Sequence, residues 1–339
     1  MKHFRISIIV TVVLMALAGI WGYQHGGMAA ALQALLITGV LGVMEVSLSF
    51  DNAVVNAAVL KDWNAFWQKL FLTLGIVVAV FGMRLVFPLA IVAAATGLDM
   101  LSVWTMATTT PDEYSRHLMG VHEEVAVFGG AFLLLVFLNF LFDEEKDVHW
   151  IQWFEEKVGR YGTESLAVML TLVAVVLCVQ LVPEDKRYSV LYSGVIGTAI
   201  YVGVGWLSGL LEEEEAGQAI QRGSVGGFLY LEVLDASFSF DGVIGAFAIT
   251  SDVVIIMLGL AIGAMYVRSL TVYLVHKGTL DEFIYLEHGA HYAIGILALI
   301  MFASVKYHIP EWVTGLSGVA FIGVSLWSSL KYRKQMGAE

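Results

Sequence analysis

Between Gly42 and Asn56 the chain reads G-V-M-E-V-S-L-S-F-D-N-A-V-V-N, which sets Glu45, Asp51, Asn52 and Asn56 inside an apolar segment long enough to cross a membrane. An ionisable side chain at a bilayer centre costs about 2.5–3.5 kcal/mol on insertion scales, so such a group is read first as functional. The device recurs 190 residues later. Glu45-x-Ser47-Leu48-Ser49-Phe50-Asp51-Asn52 aligns without a gap to Asp235-x-Ser237-Phe238-Ser239-Phe240-Asp241-Gly242, with Glu232 one turn earlier. Carboxylates, an amide and serine hydroxyls are hard oxygen donors that suit Mn²⁺, Mg²⁺ or Ca²⁺. The only cysteine, Cys178, provides neither a disulfide framework nor a thiolate metal site.

On a straight helix Glu45, Ser49, Asn52 and Asn56 follow i, i+4, i+7, i+11 and form one polar stripe, with Ser47 and Asp51 on a neighbouring one. Glu45 and Asp51 are then about 120° apart and roughly 9 Å along the axis, too far to share an ion unless the helix unwinds or the second copy supplies ligands. In that copy Glu232, Asp235 and Ser239 make the stripe, and Gly242 in place of an amide would permit a close helix crossing. The competing reading is structural: the acids pair with Arg84 and Arg268, the two cations within spans, as buried ion pairs. Two cations do not neutralise Glu45, Asp51, Glu232, Asp235 and Asp241 together, which favours an ion site.

Each acidic helix is followed by one carrying an arginine, Arg84 or Arg268, and then by one with histidines: His117 and His122 in the first copy, His288 and His291 in the second. Aligning Gly129 with Gly295 places His122 on His288, which makes these two the candidates for proton coupling. Arg84 and Arg268 are the candidate counter-charges. Neither His122-Glu123-Glu124 nor Glu287-His288-x-x-His291 is the H-E-x-x-H of a zinc protease, and no enzyme activity is expected.

The elements that would hold these residues are membrane helices. Of 339 residues 58% are hydrophobic and 14% charged, against about a quarter charged in soluble domains. Ten apolar segments are long enough to span: 6–23, 29–60, 66–95, 118–142, 165–181, 189–211, 225–250, 253–275, 283–305 and 312–330. The predicted class is an all-α polytopic membrane helix bundle of about ten spans built on an inverted pair of three-helix repeats. Its divisions are an N-terminal helix (1–28), repeat 1 (29–142), a connecting region with two spans (143–224), repeat 2 (225–305), and a C-terminal helix and tail (306–339). Residues 99–113 read as a polar, threonine-rich connection, 148–162 as an amphipathic interfacial stretch, and the glycines Gly194, Gly197, Gly203 and Gly205 as packing surfaces. The acidic runs 143–147 and 212–215 read as solvated loops.

Lys2 and Arg5 ahead of an apolar run ending Ala16-Leu17-Ala18 also resemble a secretory signal, but apolar character continues through Trp21 and a retained helix is expected. Of 18 Lys and Arg, twelve fall on the side of both termini and four, Arg116, Lys186, Arg187 and Lys306, on the other. This asymmetry predicts cytoplasmic termini in a cell (inner) membrane. Five helix steps separate the two acidic helices, so they run in opposite directions, as in inverted-repeat transporters whose substrate site lies near the midplane.

The paired motifs E-V-S-L-S-F-D-N and E-V-L-D-A-S-F-S-F-D-G-V-I-G-A-F-A-I-T-S-D, the second followed by an arginine helix containing R-S-L, resemble the TerC (tellurite-resistance) integral membrane family. The likeness is to its longer branch of unknown-function domains, within the lysine-exporter-type superfamily. That resemblance implies Mn²⁺ efflux, Ca²⁺ transport or metal supply to exported proteins, with Glu45, Asp51, Asn52, Glu232, Asp235 and Asp241 as metal ligands. Where the family has D-S-I-P-A-I-F, this chain has Asp241-Gly242-Val243-Ile244-Gly245-Ala246-Phe247, without the hydroxyl and the proline. The expected function is export of a divalent cation by proton antiport, with the metal as substrate, no tightly bound cofactor, the lipid bilayer as surroundings and no nucleic-acid partner. An oxyanion exporter and a non-transporting partner of secretion or metalation machinery are the alternatives.

Overall fold

A computed structural model describes residues 4–143, 146, 148–212, 223–247, 249–277 and 283–336. Outside them lie Lys2, Arg222 and most of the two acidic runs; the side chains of Asp241 and Lys277 lie outside the description too. The described chain is helical and carries no strand. In order, the helices are α1 (Arg5–Leu48), α2 (Phe50–Leu60), α3 (Ala65–Val77), a π-helix (Val78–Val86), α4 (Phe87–Thr96), α5 (Met100–Thr109), α6 (Pro111–Gly120) and α7 (His122–Phe142). They continue with α8 (Gln152–Gly159), α9 (Glu164–Val179), α10 (Arg187–Glu212), α11 (Val225–Phe247), α12 (Val253–Lys277), α13 (Leu286–Ser304) and α14 (Glu311–Met336). Among the described residues seven helices are long and apolar enough to cross a membrane, and α8 with α9, bent by 101°, form a further apolar pair. This is a polytopic helical membrane bundle, and the ten apolar segments are mostly helical among the described residues, 29–60, 66–95 and 118–142 each running over more than one helix.

The first two segments share the 44-residue α1, which is interrupted at Gly26 and Gly27. A Cβ on Gly22 would lie 2.6 Å from the Ala30 carbonyl oxygen and 2.8 Å from the Ala34 Cβ, and one on Gly19 would touch Leu35. The arms 5–25 and 28–48 therefore fold back on each other across small residues, as membrane helices do where close backbone approach replaces the hydrophobic effect. Gly27 makes the reversal, with φ 70° and ψ −157°, a conformation open essentially to glycine alone. Nothing stands within 4 Å of a Cβ added there, so Gly27→Ala tests the backbone and not the space. Its expected cost is about 1–3 kcal/mol, read as a lowered midpoint of thermal unfolding in detergent.

The connection at 99–113 is itself helical, and one span boundary moves. Residues 99–113 are largely helical: Asp99 caps α5 by accepting from the Leu101 and Ser102 amides, and Thr105, Thr108 and Thr109 return their hydroxyls to carbonyls one turn back. Threonine so engaged does not compete with the helix by offering its backbone an alternative. The fourth span begins at His122 and not Leu118, because Val121 leaves the helix at φ −110°, ψ 12°.

The chain divides into two compact units, each drawing on both repeats. The first holds residues 1–49, 69–122 and 238–273. Within it both arms of α1 pack on α12: Ser7 donates to the Met265 carbonyl at 2.8 Å, Trp21 Nε1 donates to Asp252 at 2.9 Å, and Gly259 and Gly263 receive Leu41 and Glu45. The second holds 50–68, 123–237 and 274–339, where α2 packs on α13 and α14. Gly129 and Gly130 of α7 face Met301 and Phe302 of α13, while Gly295 of α13 faces Phe137 of α7. The two glycines that align the repeats are thus also where their third helices touch. On α10, Gly194 meets Val175 and Gly197 meets the Phe128 backbone, as packing glycines do; Gly203 faces open space.

Candidate functional site

In the first unit Glu45 sits at 1% exposure near the end of α1. Its Cβ and Cγ lie over Gly263 and its Oε2 over Gly242, where an added Cβ would come within 2.8 Å. What closes on Gly242 is this carboxylate. Oε1 accepts from the Ser49 hydroxyl at 3.1 Å and from Arg84 Nη2 in a buried ion pair. Arg84 belongs to the π-helix, and its Nη1 donates to the Ala79 carbonyl, five residues back, at 2.8 Å. A π-segment within an α-helix is costly and concentrates at functional sites; here it brings Arg84 to Glu45. Arg268 lies over the Phe71 ring, 4.3 Å from its centroid, a cation–π arrangement.

In the second unit α2 is enclosed almost throughout, with Asp51, Asn52 and Asn56 all buried. The stripe read from the sequence is buried along its length, Glu45, Ser49, Asn52 and Asn56 being at most 3% exposed, whereas Ser47 is exposed. The helix breaks at Ser49, so the stripe passes from the end of α1 into α2. Asp51 Oδ1 accepts from the Asn52 amide at 2.9 Å, and its carboxylate covers Gly318 of α14, where a Cβ would come within 2.7 Å of Oδ2. Asn56 Nδ2 donates to Asp235 Oδ1 at 2.8 Å. A residue of the first acidic stretch thus bonds one of the second, 179 positions on. The Oδ1 atoms of Asn52 and Asn56 are buried without a hydrogen-bond partner among the described residues. Glu232 and Asp235 are 6% and 5% exposed.

His122 opens α7 and is half-buried. His288, near the start of α13 and 4% exposed, has Nε2 2.9 Å from the Val148 carbonyl and 3.4 Å from Glu155. The bond to a carbonyl requires that Nε2 carry the proton. Glu155, whose side chain is fully buried, also accepts from the Trp150 and Ile151 amides at 3.3 and 3.2 Å and from the Tyr292 hydroxyl at 3.0 Å, with Lys146 Nζ 3.9 Å away. Burial would raise its carboxyl, but the His288 bond, the Ile151 amide and the charges of His288 and Lys146 outweigh it and hold the group at about 2. His288 therefore joins α13 to the segment that holds Val148 and Glu155. The sequence reading passed over Glu155, which stands between Phe154 and Glu156 like a solvated interfacial acid, and it named Asn56 without placing it among the ligands.

Among the described residues no three His, Cys, Asp or Glu side chains gather as a metal-holding group. What the described side chains form is a charged pair, Glu45–Arg84, in the first unit and an amide–carboxylate pair, Asn56–Asp235, in the second.

A family model described as "Protein of unknown function (DUF475)" matches residues 50–336. The "Uncharacterized membrane protein YceF" of Bacillus subtilis (strain 168) is 33% identical over 97 residues, which is 28% of this chain and 37% of that protein. The match thus spans little more than a third of the relative's length. No solved structure matches.

Proposed function

We propose, from the premise that the chain belongs to the DUF475 family of unknown function, that it is a multi-pass membrane transporter exporting a hard divalent cation, Mn²⁺ foremost. The observation that carries the reading is the Asn56–Asp235 bond: polar groups from the two acidic stretches meet, buried, on helices that otherwise read as apolar. Asp51, Asn52, Glu232 and Asp235 supply oxygens in the second unit, and Asp241 is assigned with them from the sequence. Glu45 is paired with Arg84, so its role is charge balance until that pair opens. Arg268 and His122 keep their assignments as counter-charge and proton-coupling residue, while His288 anchors the connecting segment.

Export of two positive charges against an inside-negative potential costs about 4.6 kcal/mol per 100 mV, at ~2.3 per charge. A returning cation must therefore compensate, and carboxylates that release metal on taking up another cation are suited to that exchange. The localisation that follows is a cell membrane with both termini cytoplasmic.

Purified protein in liposomes is expected to move Mn²⁺, and Asp235→Asn and Asp51→Asn to slow it at least about tenfold, the equivalent of ~1.4 kcal/mol on the rate-limiting step. Normal flux in both variants would overturn the site. Tellurite flux that Arg84→Ala abolishes, with no cation flux in the wild type, would replace cation export by oxyanion export.

A further inference from the structure

We infer that the Asn52–Asn56–Asp235 group in the second unit is a binding site for a dehydrated alkali-metal cation, which returns beside the proton when the substrate leaves. The inference rests on the transport reading for that role, but the site itself rests on geometry. Asn52 and Asn56 stand at i and i+4 on α2, so their side chains lie on one face about 5–6 Å apart at Cβ. Both are 3% exposed, and in each the amide oxygen has no hydrogen-bond partner among the described residues. Asn56 spends its N–H on Asp235 Oδ1 at 2.8 Å, which leaves its own Oδ1 beside that carboxylate. A buried acceptor left unmade costs about 1–3 kcal/mol; two on one face, next to a buried carboxylate, describe a place where a cation belongs.

The charge of the set selects the ion. Taken without Asp51 and Glu232, which a divalent ion would need as well, one carboxylate with two neutral amide oxygens balances a single positive charge in a low-dielectric interior. Glu232, one turn before Asp235, has interactions of its own and is not counted in the set.

The test is thermal unfolding of the purified full chain in detergent at pH 8, in sodium, potassium or choline chloride at equal ionic strength, with MnCl₂ as a separate arm. Stabilisation by sodium or potassium over choline is expected, and whichever of the two is effective identifies the ion. Asn56→Leu should lose the alkali-dependent rise, and Asn56→Asp, which keeps the volume and adds a charge, should trade it for a larger response to Mn²⁺. Equal unfolding temperatures in all three chlorides would overturn the site, as would an unchanged alkali response in Asn56→Asp, whether or not the leucine variant folds. Alkali-dependent stabilisation without Mn²⁺ flux would sink the transport reading and leave this site standing. Mn²⁺ flux with no alkali effect would do the reverse.

Discussion

Arg84→Ala is expected to destabilise the protein by about 3–5 kcal/mol, because it strands a buried carboxylate. Glu45 is 1% exposed, and its other hydrogen bond among the described residues is the Ser49 hydroxyl, a neutral donor at 3.1 Å. The pair need not be stabilising relative to an apolar core for this to hold; removing one partner leaves the other charge in a medium that cannot solvate it. The diagnostic is therefore the double variant. Glu45→Gln in the Arg84→Ala background removes the stranded charge and should recover most of the loss, although Glu45→Gln alone leaves Arg84 unpaired and is costly. Thermal unfolding of the four proteins in one detergent closes the cycle, and additive effects of the two substitutions would mean that the pair is not energetically coupled. Arg84 also returns Nη1 to the Ala79 carbonyl within the π-helix, so the alanine variant should relax Val78–Val86 towards α-helical pairing. Faster amide exchange confined to that segment would register the change.

Much of this architecture could be read from hydropathy alone. The ten apolar segments land on helices because a backbone in hydrocarbon has to satisfy its hydrogen bonds internally. The break between the first two fell in the gap between segments 6–23 and 29–60, and burial of the Glu45–Asn56 stripe followed from its 3.6-residue period. The π-helix was not visible. Whether Val78–Val86 pairs i→i+4 or i→i+5 depends on where Arg84 must reach, and that is a tertiary matter. Threonine lowers helix propensity in isolation, while in the connection 99–113 each of three hydroxyls finds a carbonyl on its own helix. The amide oxygens of Asn52 and Asn56 were visible as residues, but their lack of partners is a property of the packed state. Glu155 shows the same limit from the other side: composition places an acid among Trp153, Phe154 and Glu156 at a surface, and only the fold shows His288, Tyr292 and two backbone amides turned towards it.

Glu155→Ala should be as damaging as loss of Arg84, again by about 3–5 kcal/mol, and by a route that reports on α8. The carboxylate gathers the Trp150 and Ile151 amides at the start of α8, the Tyr292 hydroxyl and His288 of α13, and Lys146 of the connecting segment. Its removal takes the acceptor from those donors and leaves Lys146 without its nearest acid, although Lys146 retains the Phe140 carbonyl at 2.8 Å and the Phe140 ring. The segment should detach before the bundle melts, giving proteolysis near Gln152–Gly159 and an altered Trp150 emission at temperatures where the remaining helices persist. The dependence on pH carries its own sign. Held at about 2 against an ordinary 4.5, the folded carboxyl binds its proton less readily than the unfolded one, so its contribution is complete above pH ~4.5 and fades as pH falls towards 2. Glu155→Gln keeps the size and abolishes the titration. Its unfolding temperature should be lower than that of the wild type at pH 7, with the two converging as the pH is lowered through that window. A gap that stays constant from pH 7 to pH 3 would show that Glu155 is not held as an ionised, hydrogen-bonded group, and that something other than its charge fastens α8 to α13.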